Sequence, residues 1–469
     1  MNKNVEDLDF VFSEIIRISE LRRTDKTKIP TNDYFASLPH PSGSGEMLCG
    51  TAALERIRAT AQRAISSSKF AGRLESDEVY RSLKKEIVRR FFVERRSLNE
   101  SEADKAVNAA VKTATKTIVT LTHLLPCHLA GISGPSEFSI GSVRFRKRGD
   151  ALLEKERSLA DYADDPQDDA VKDSSEGHRE IKEKLLIDAR KHYESFDWVA
   201  EVRIEATDAN TSRKRASMVA QGAINCLHLL LGREYSHHMR CGGPDFAVDR
   251  RGRLEFDDKG KAEVWTSTDW LSHFITETWW DKLNQERGRD IIQLLGVALT
   301  AGNAVPKPSP LALRFLDALA WYGEAVRDEF IASRVVKYVT AIERILTTKK
   351  AKDLTQAIAT RGSALTFAPS EENLQDLADR FRSIYGLRSD LVHGSLSPLS
   401  SALWNGDRES EELARATLFR ALQFFGKEGL EVSNYSATKL DQAYDKVMVW
   451  AQAAMNNAAE SEQLGNSPA

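Results

Sequence analysis

The clearest hydrophobic pattern in this chain lies near its C-terminal end. Within residues 374–391 the apolar side chains recur at steps of three and four, which is the period of an amphipathic helix. Ser370 precedes the pattern as a candidate N-cap. Gly394 fits the position just past a helix, and Pro398 follows as a stop. The pattern therefore predicts a helix that ends with His393.

A second amphipathic pattern precedes this helix, at residues 335–346, where steps of four, three and four separate the apolar positions. Glu343 lies inside it, where an unpaired carboxylate would be costly. Arg361 belongs to the next apolar segment, and Arg388 to the helix that ends at His393. Glu343 with either arginine could make a buried ion pair. In the simpler of two interpretations, that pair only ties helices together.

Apolar and polar patterns elsewhere predict a mostly helical chain with a few short strands. Helical periodicity covers residues 5–23, 52–66, 77–95, 101–125, 216–231 and 270–299. Alternation predicts strands at 138–146 and 198–206, and further short β segments around a turn at 249–252.

These elements predict a mainly helical region at residues 1–135 and an α+β region at 136–308. Residues 154–183, dense in charge, are expected to form an exposed linker or a partly helical insertion within it. A cluster of Gly and Pro at 302–310 marks the next boundary. A helical domain should then occupy 309–457, before a polar tail at 458–469 that we expect to be disordered.

Composition narrows the class of protein. Apolar residues make up 41% of the 469-residue chain, enough for packed cores, and the net charge of −3 argues against a protein that coats nucleic acid unspecifically. The four cysteines are scattered without framework spacing, which indicates a reducing cytoplasm. No run approaches the roughly 20 apolar residues that span a bilayer, so we expect no membrane association.

Arg388 and His393 are the strongest candidates for chemistry, because a permanent cation and an imidazole that titrates near neutrality can together cut RNA without a metal. Five residues of an ideal helix turn about 500°, so the two side chains would point roughly 140° apart. They do not share one face cleanly. A site that uses both needs the reach of Arg388, distortion at the helix end, or a second copy of the chain.

Three blocks in order carry a resemblance to a known family: Ala341-Ile-Glu-Arg-Ile-Leu346, Ile358-Ala-Thr-Arg-Gly-Ser-Ala364 and Ile384-Tyr-Gly-Leu-Arg-Ser-Asp-Leu-Val-His-Gly394. Over about residues 310–455 the chain resembles an ApeA-like HEPN domain. That resemblance implies a helical bundle that dimerises and a metal-independent endoribonuclease with an Arg-x4-His motif, active in phage defence, abortive infection or stress. It implies no cofactor and no metal.

By position the resemblance makes Arg388 and His393 the catalytic pair, with Ser389 at the polar position after the arginine. Cleavage by the 2′-hydroxyl of RNA needs a base and an acid, and an imidazole can serve as either. The guanidinium can bind two oxygens of the charged transition state. One chain supplies one imidazole, so we predict a composite site across a homodimer. Asp390 and Tyr385 could orient the imidazole or the RNA, and are otherwise solvated or structural.

Other interpretations stay open. Residues 233–243 contain a second Arg-x4-His pair, Arg233 and His238, in no clear helical context, and His237, His238 and Cys241 there fit no standard zinc spacing. For the main motif the simpler interpretation is a histidine that caps a helix and an arginine that pairs with Glu343. A HEPN bundle can also be an inactive dimerisation or RNA-binding module, with residues 1–300 sensing a trigger or restraining a nuclease in the active case.

Overall fold

The computed structural model describes residues 2–129, 131–132, 136–164, 175–242, 248–256, 262–270, 274–275, 281, 285–348, 353–369 and 373–465. Most of them are helical, which confirms the predicted fold class at that level. The chain divides into two compact units. One comprises Met1–Thr122 with Arg203–Ala216, and the other His123–Val202 with Ser217–Ala469. The domain limits predicted at residues 135, 308 and 457 stay predictions.

The first unit is built mainly from four α-helices, each close to a predicted segment: α1 (Lys3–Thr24), α2 (Thr51–Ser66), α3 (Ser76–Ile87) and α4 (Glu100–Ala114). A π-helical turn, Val88–Val93, continues α3. A small hairpin of β1 (Ser37–Pro39) and β2 (Glu46–Leu48) lies between α1 and α2. The apolar stripes of the four helices meet in one core, since each helix has polar residues on its other face.

The helix predicted over residues 101–125 was too long. It ends at Ala114, and strand β3 (Val119–His128) begins a few residues later. The segment Ile118-Val-Thr-Leu-Thr122 is rich in β-branched residues, which favour extended backbone. Likewise the single strand predicted at 138–146 is a hairpin of β5 (Glu137–Ile140) and β6 (Val143–Lys147). Gly141 turns that hairpin with a φ of 57°.

A five-stranded sheet lies at the centre of the middle region, with the order β5-β6-β7-β3-β8. Its third strand is β7 (Trp198–Thr207), as predicted, and its edge strand β8 (Arg240–Cys241) pairs antiparallel with β3. Helices α5 (Arg148–Asp164) and α6 (Ser175–Glu194) lie between β6 and β7 in the chain. The predicted charged linker is therefore helical on both sides of residues 165–174, which lie outside the described residues.

Two predictions in the next segment were wrong. The turn expected at 249–252 falls within strand β9 (Val248–Phe256), which pairs with β10 (Ala262–Trp270). The helix expected over 270–299 is interrupted by β11 (Phe274–Ile275), which pairs with β4 (Gly131–Ile132), and α9 (Glu286–Gly302) covers its C-terminal part. Thr and Trp in this segment favour extended strands as readily as an apolar helix face, so periodicity alone misled.

Two further helices, α7 (Ala209–Leu231) and α8 (Arg233–Ser236), precede β8. The C-terminal part of the chain is a bundle of six helices: α10 (Pro310–Arg327), α11 (Ile331–Leu346), α12 (Leu354–Thr366), α13 (Leu374–His393), α14 (Ala402–Glu428) and α15 (Ala437–Gly465). The last helix runs past residue 457, where we expected a disordered tail to begin. Residues 466–469 lie outside the described residues.

The core of the bundle forms where α11 packs against α10 and α14, and α12 against α13. Aromatic side chains fill it, including the fully buried Phe315, Tyr322, Tyr338, Phe381 and Phe425. Pro310 begins the bundle at the first turn of α10, where a missing N–H costs nothing. Across the described part of the chain, none of these helices is both long and apolar enough to cross a membrane.

Candidate active site

Helix α13 positions both residues of the predicted catalytic pair. Its N-cap is Asn373, whose side chain accepts a hydrogen bond from the Gln375 N–H at 2.8 Å. The predicted cap, Ser370, lies outside the described residues. At the other end Gly394 adopts the left-handed conformation, with a φ of 78°, and confirms the predicted stop. His393 is thus the last residue of the helix.

The guanidinium of Arg388 points back toward the bundle. Its Nη2 lies 3.6 Å from Oε2 of Glu343 on α11, and both side chains are 24% exposed. Its centre lies 5.9 Å from the ring of Tyr385, one turn earlier on α13. Burial and the Glu343 carboxylate raise the pKa of Tyr385, while Arg388 partly offsets them. Arg388 is therefore the ion-pair partner of Glu343, which was one of the two alternatives.

Arg361, the other alternative, has a different partner. From α12 it donates to the Leu346 carbonyl and to Asp441 Oδ1, each at 2.9 Å. It also lies over the ring of Tyr444, with 5.0 Å between the guanidinium and the ring centre. Arg361 thus caps the end of α11 and ties it to α15, a structural role. The sequence did not indicate Asp441, because 80 residues separate it from Arg361.

His393 lies on the other side of the helix end, where its side chain is exposed. Within the described residues no hydrogen bond or ion pair joins its ring to another group. Gly386 and Ser389 precede it at steps of three and four, so the three share one face. A Cβ at Gly386 would meet no heavy atom within 4 Å, so this face is open at that point.

The two predicted catalytic groups therefore have different surroundings in one chain. Arg388 is half-buried and paired, whereas His393 is exposed at the helix end. Asp390, also exposed, uses its main-chain carbonyl to accept from the N–H groups of Ser395 and Leu396, at 2.8 and 3.1 Å. That closes the turn after α13 and fixes where the imidazole projects.

Helix α13 is fastened to α14 by charge and by close packing. Arg380 donates to Glu409 at 2.9 Å, and Leu387 packs directly against Gly406, where a Cβ would collide with it. Helix α14 is in turn fastened to α11 by the nearly buried Arg334, whose Nε donates to Asp407 at 2.9 Å. Sequence patterns missed these pairs, because each joins residues on different helices. Together they hold the helix that carries the site.

The segment between Val392 and Trp404 exposes large apolar side chains next to His393. Val392 is 52% exposed, Leu399 84% and Trp404 70%. Solitary exposed apolar residues are ordinary, but three within 13 residues make this segment a candidate contact surface. This apolar segment, residues 392–404, was not identified from the sequence.

The second Arg-x4-His pair has another environment. Arg233 begins the four-residue helix α8, and its main-chain N–H donates to Glu411 Oε1 at 2.8 Å. The rings of His237 and His238 are half-buried and lie against each other, 3.6 Å between centres. In the described part of the chain, no group of three His, Cys, Asp or Glu side chains is arranged to hold a metal ion.

Comparison with known proteins found no matching family model, no similar curated protein and no similar solved structure. The HEPN-like resemblance therefore rests on the residues of the three blocks and stays a prediction.

Proposed function

We propose that this chain is a metal-independent endoribonuclease in which two copies form one site from two Arg388 and two His393 side chains. The observation that carries the proposal is the end of α13. There the exposed imidazole of His393, which has no hydrogen-bond or ion-pair partner among the described residues, lies five residues after the half-buried guanidinium of Arg388. The resemblance of the three sequence blocks to HEPN domains supports the proposal, because it implies that this same pair is the catalytic one.

The chemistry divides between the two groups. One imidazole takes the proton from the 2′-hydroxyl, and the oxygen attacks the adjacent phosphorus. The imidazole of the second chain protonates the departing 5′-oxygen. The guanidinium of Arg388 stabilises the additional negative charge on the phosphoryl oxygens. The products are a 2′,3′-cyclic phosphate and a 5′-hydroxyl, and atoms and protons balance without a metal.

Association of two copies through this region accounts for three features together. The open position at Gly386 lets another backbone approach α13 closely. The exposed side chains of Val392, Leu399 and Trp404 would become buried in the contact between the two chains. A single imidazole per chain would be complemented by a second. We therefore propose a homodimer with RNA as substrate, acting in the cytoplasm in phage defence or a stress response, with residues 1–300 sensing a trigger or restraining the nuclease.

The test is cleavage of a mixed pool of structured and single-stranded RNAs by the full-length protein in EDTA. We expect cyclic-phosphate ends from the parent and none from Arg388→Ala or His393→Ala. Adding an excess of His393→Ala to a fixed amount of the parent separates the shared site from a site within one chain. A mixed dimer has only one imidazole, so the excess should suppress cleavage if the site is shared and should leave cleavage unchanged if each chain has its own site. Cleavage by a protein that sedimentation shows to be monomeric would refute the shared site.

A second candidate function follows from the ion pair of Arg388. If its contact with Glu343 persists when RNA binds, the guanidinium serves the fold, and the domain is an inactive dimerisation or RNA-binding module. Its signature would be RNA binding by the parent and by His393→Ala with equal affinity, and no cleavage by either. Growth arrest on expression, abolished by His393→Ala, would instead support the nuclease.

A further inference from the structure

Two cysteines lie directly opposite each other on neighbouring strands of the five-stranded sheet. Cys127, near the end of β3, is paired in the antiparallel register with Cys241, the last residue of the edge strand β8. The next pair outward is Pro126 with Gly242, where the Gly242 N–H donates to the Pro126 carbonyl at 2.8 Å. That pair is therefore the hydrogen-bonded one.

Hydrogen-bonded and non-hydrogen-bonded pairs alternate along an antiparallel ladder, so Cys127 and Cys241 occupy a non-hydrogen-bonded pair. Such pairs have Cα atoms about 4.5 Å apart and side chains on the same face, with the Cβ atoms closer than at hydrogen-bonded pairs. A disulfide requires Cα atoms about 4.4–6.8 Å apart and converging Cβ atoms. The register meets these requirements without movement of the strands.

We infer that Cys127 and Cys241 are a redox modification site, at which a small-molecule disulfide converts the two thiols into one cross-strand disulfide. The inference concerns two cysteines that both belong to the second unit, and it does not depend on RNA cleavage. It is compatible with a reducing compartment, where both cysteines would stay as thiols until an oxidant accumulates.

Exposure sets the order of the two steps. Cys127 is fully buried, whereas Cys241 is partly exposed at the sheet edge. The Cys241 thiolate attacks one sulfur of the oxidant, which forms a mixed disulfide and releases one small thiol. The Cys127 thiolate then attacks the Cys241 sulfur and releases the second. Two protein thiols are oxidised, one oxidant disulfide is reduced to two thiols, and the two protons pass to the leaving thiolates.

Burial slows the first step. It raises the pKa of Cys241 to about 12 and that of Cys127 well above its ordinary value. Since the thiolate is the attacking species, we expect the bridge to form slowly at neutral pH and faster at higher pH. The second step joins neighbouring residues of one ladder, so closure should prevail over accumulation of the mixed disulfide.

The bridge would fasten a short edge strand. Strand β8 consists of Arg240 and Cys241 and pairs with β3 over two residues, so a covalent link would strengthen a short ladder. Oxidation should therefore protect the Gly242 N–H, which donates to Pro126, from exchange with solvent. That protection is a structural readout separate from the chemistry.

The test is a peptide map of the folded, full-length protein after incubation with oxidised glutathione at pH 8.5. Remaining thiols are alkylated before tryptic digestion. We expect one linked pair of peptides, residues 117–144 with 241–250, which reduction separates, and an intact mass lower by about 2 Da. Hydrogen exchange at Gly242 should slow in the oxidised sample and recover on reduction.

Two controls make the outcome decisive. Cys49→Ala with Cys226→Ala removes both other cysteines, each fully buried, and should leave the linked peptides unchanged. Cys241→Ser should abolish them. The inference is overturned if Cys127 and Cys241 are both alkylated after native oxidation, if Cys241 remains a mixed disulfide with glutathione, or if the link appears only in denaturant. The parent map suffices if a variant does not fold.

Discussion

The chain contains two Arg-x4-His pairs with the same spacing and opposite surroundings. Arg388 and His393 close a 20-residue helix, and the histidine is exposed beyond its last carbonyls. Arg233 and His238 lie on and after a helix of only four residues, and His238 is half-buried against His237. Spacing alone therefore says little about chemistry. The length of the helix and the exposure of the ring separate a candidate site from a structural segment.

The prediction with the largest expected effect compares the histidines of the two Arg-x4-His pairs directly. His393→Ala should reduce RNA cleavage about 10²–10⁴-fold, because it removes a proton-transfer group. His238→Ala should change cleavage by less than about threefold, since it removes no group that meets the RNA. Rates of single-turnover cleavage in EDTA would measure both. Equal losses in the two variants would mean that the site is misplaced, provided that circular dichroism shows both to be folded.

The sequence predicts the candidate site better than it predicts the supports of that site. Apolar steps of three and four give α13 and its end at His393, because one turn of helix fixes which residues share a face. They also leave Glu343 with two possible arginines. Which arginine pairs with Glu343 depends on the position of Asp441 on α15, because Asp441 accepts a hydrogen bond from Arg361. No local pattern encodes a contact across 80 residues, and neither the Arg334–Asp407 pair nor the exposed Trp404 has a periodic signal.

The sheet region also shows that local sequence patterns do not determine contacts between distant residues. Alternation identified β7, but the overlong helix at 101–125 arose where apolar and β-branched residues fit either period. The misplaced turn at 249–252 arose because Asp249-Arg-Arg-Gly252 has the polar composition of a turn although it lies within β9. Pairing with distant strands decides such segments. The opposed cysteines became visible only through the register of β3 and β8.

A second prediction concerns the buried His228, near the second Arg-x4-His pair in sequence, and depends on pH. His228 on α7 is fully buried, its Nδ1 3.0 Å from Ser236 Oγ in α8 and its Nε2 3.0 Å from Arg327 Nη1. Because a guanidinium can only donate, Nε2 must accept, so the ring is neutral. Burial, with Arg327 beside it, holds the pKa of His228 well below its ordinary value.

The direction in which stability changes with pH follows from that depressed pKa. The unfolded chain binds a proton near pH 6.5 and the folded chain does not, so stability is full above about pH 6.5 and declines below it. At pH 5.5 this histidine should lower the free energy of unfolding by about 1.4 kcal/mol. His228→Gln can accept from Arg327 and donate to Ser236 without titrating. Urea denaturation at pH 7.5 and 5.5 should therefore show a smaller loss in the variant, and an equal loss would contradict the assignment.

A third prediction tests the ion pair that distinguishes Arg388. Glu343→Gln keeps the size of the side chain and removes its charge. Since both partners are partly exposed, stability should change by less than about 1 kcal/mol. Cleavage should fall about tenfold, because a guanidinium that is no longer oriented meets the phosphoryl oxygens less often. Single-turnover rates and urea denaturation separate the two effects. A rise in cleavage would identify Glu343 as a restraint on Arg388.

The prediction with the smallest expected effect concerns the open face of α13 beside His393. Gly386→Ala fills space that no other atom of the described chain approaches within 4 Å. Alanine should raise the free energy of unfolding by about 0.5–1 kcal/mol, because glycine loses more backbone entropy than alanine when a helix forms. Gly386→Trp should instead weaken dimerisation, since its ring would occupy the approach of the second chain.

Both Gly386 variants are best measured together, by urea denaturation and by sedimentation over a range of concentrations. Ser383→Trp provides the control, because Ser383 is exposed on α13 and lies one turn before Gly386, farther from His393. If the second chain approaches near His393, tryptophan at 386 should weaken the dimer more than tryptophan at 383. Equal dimerisation of the two tryptophan variants would place the contact between chains elsewhere and leave the composite site without its geometric support.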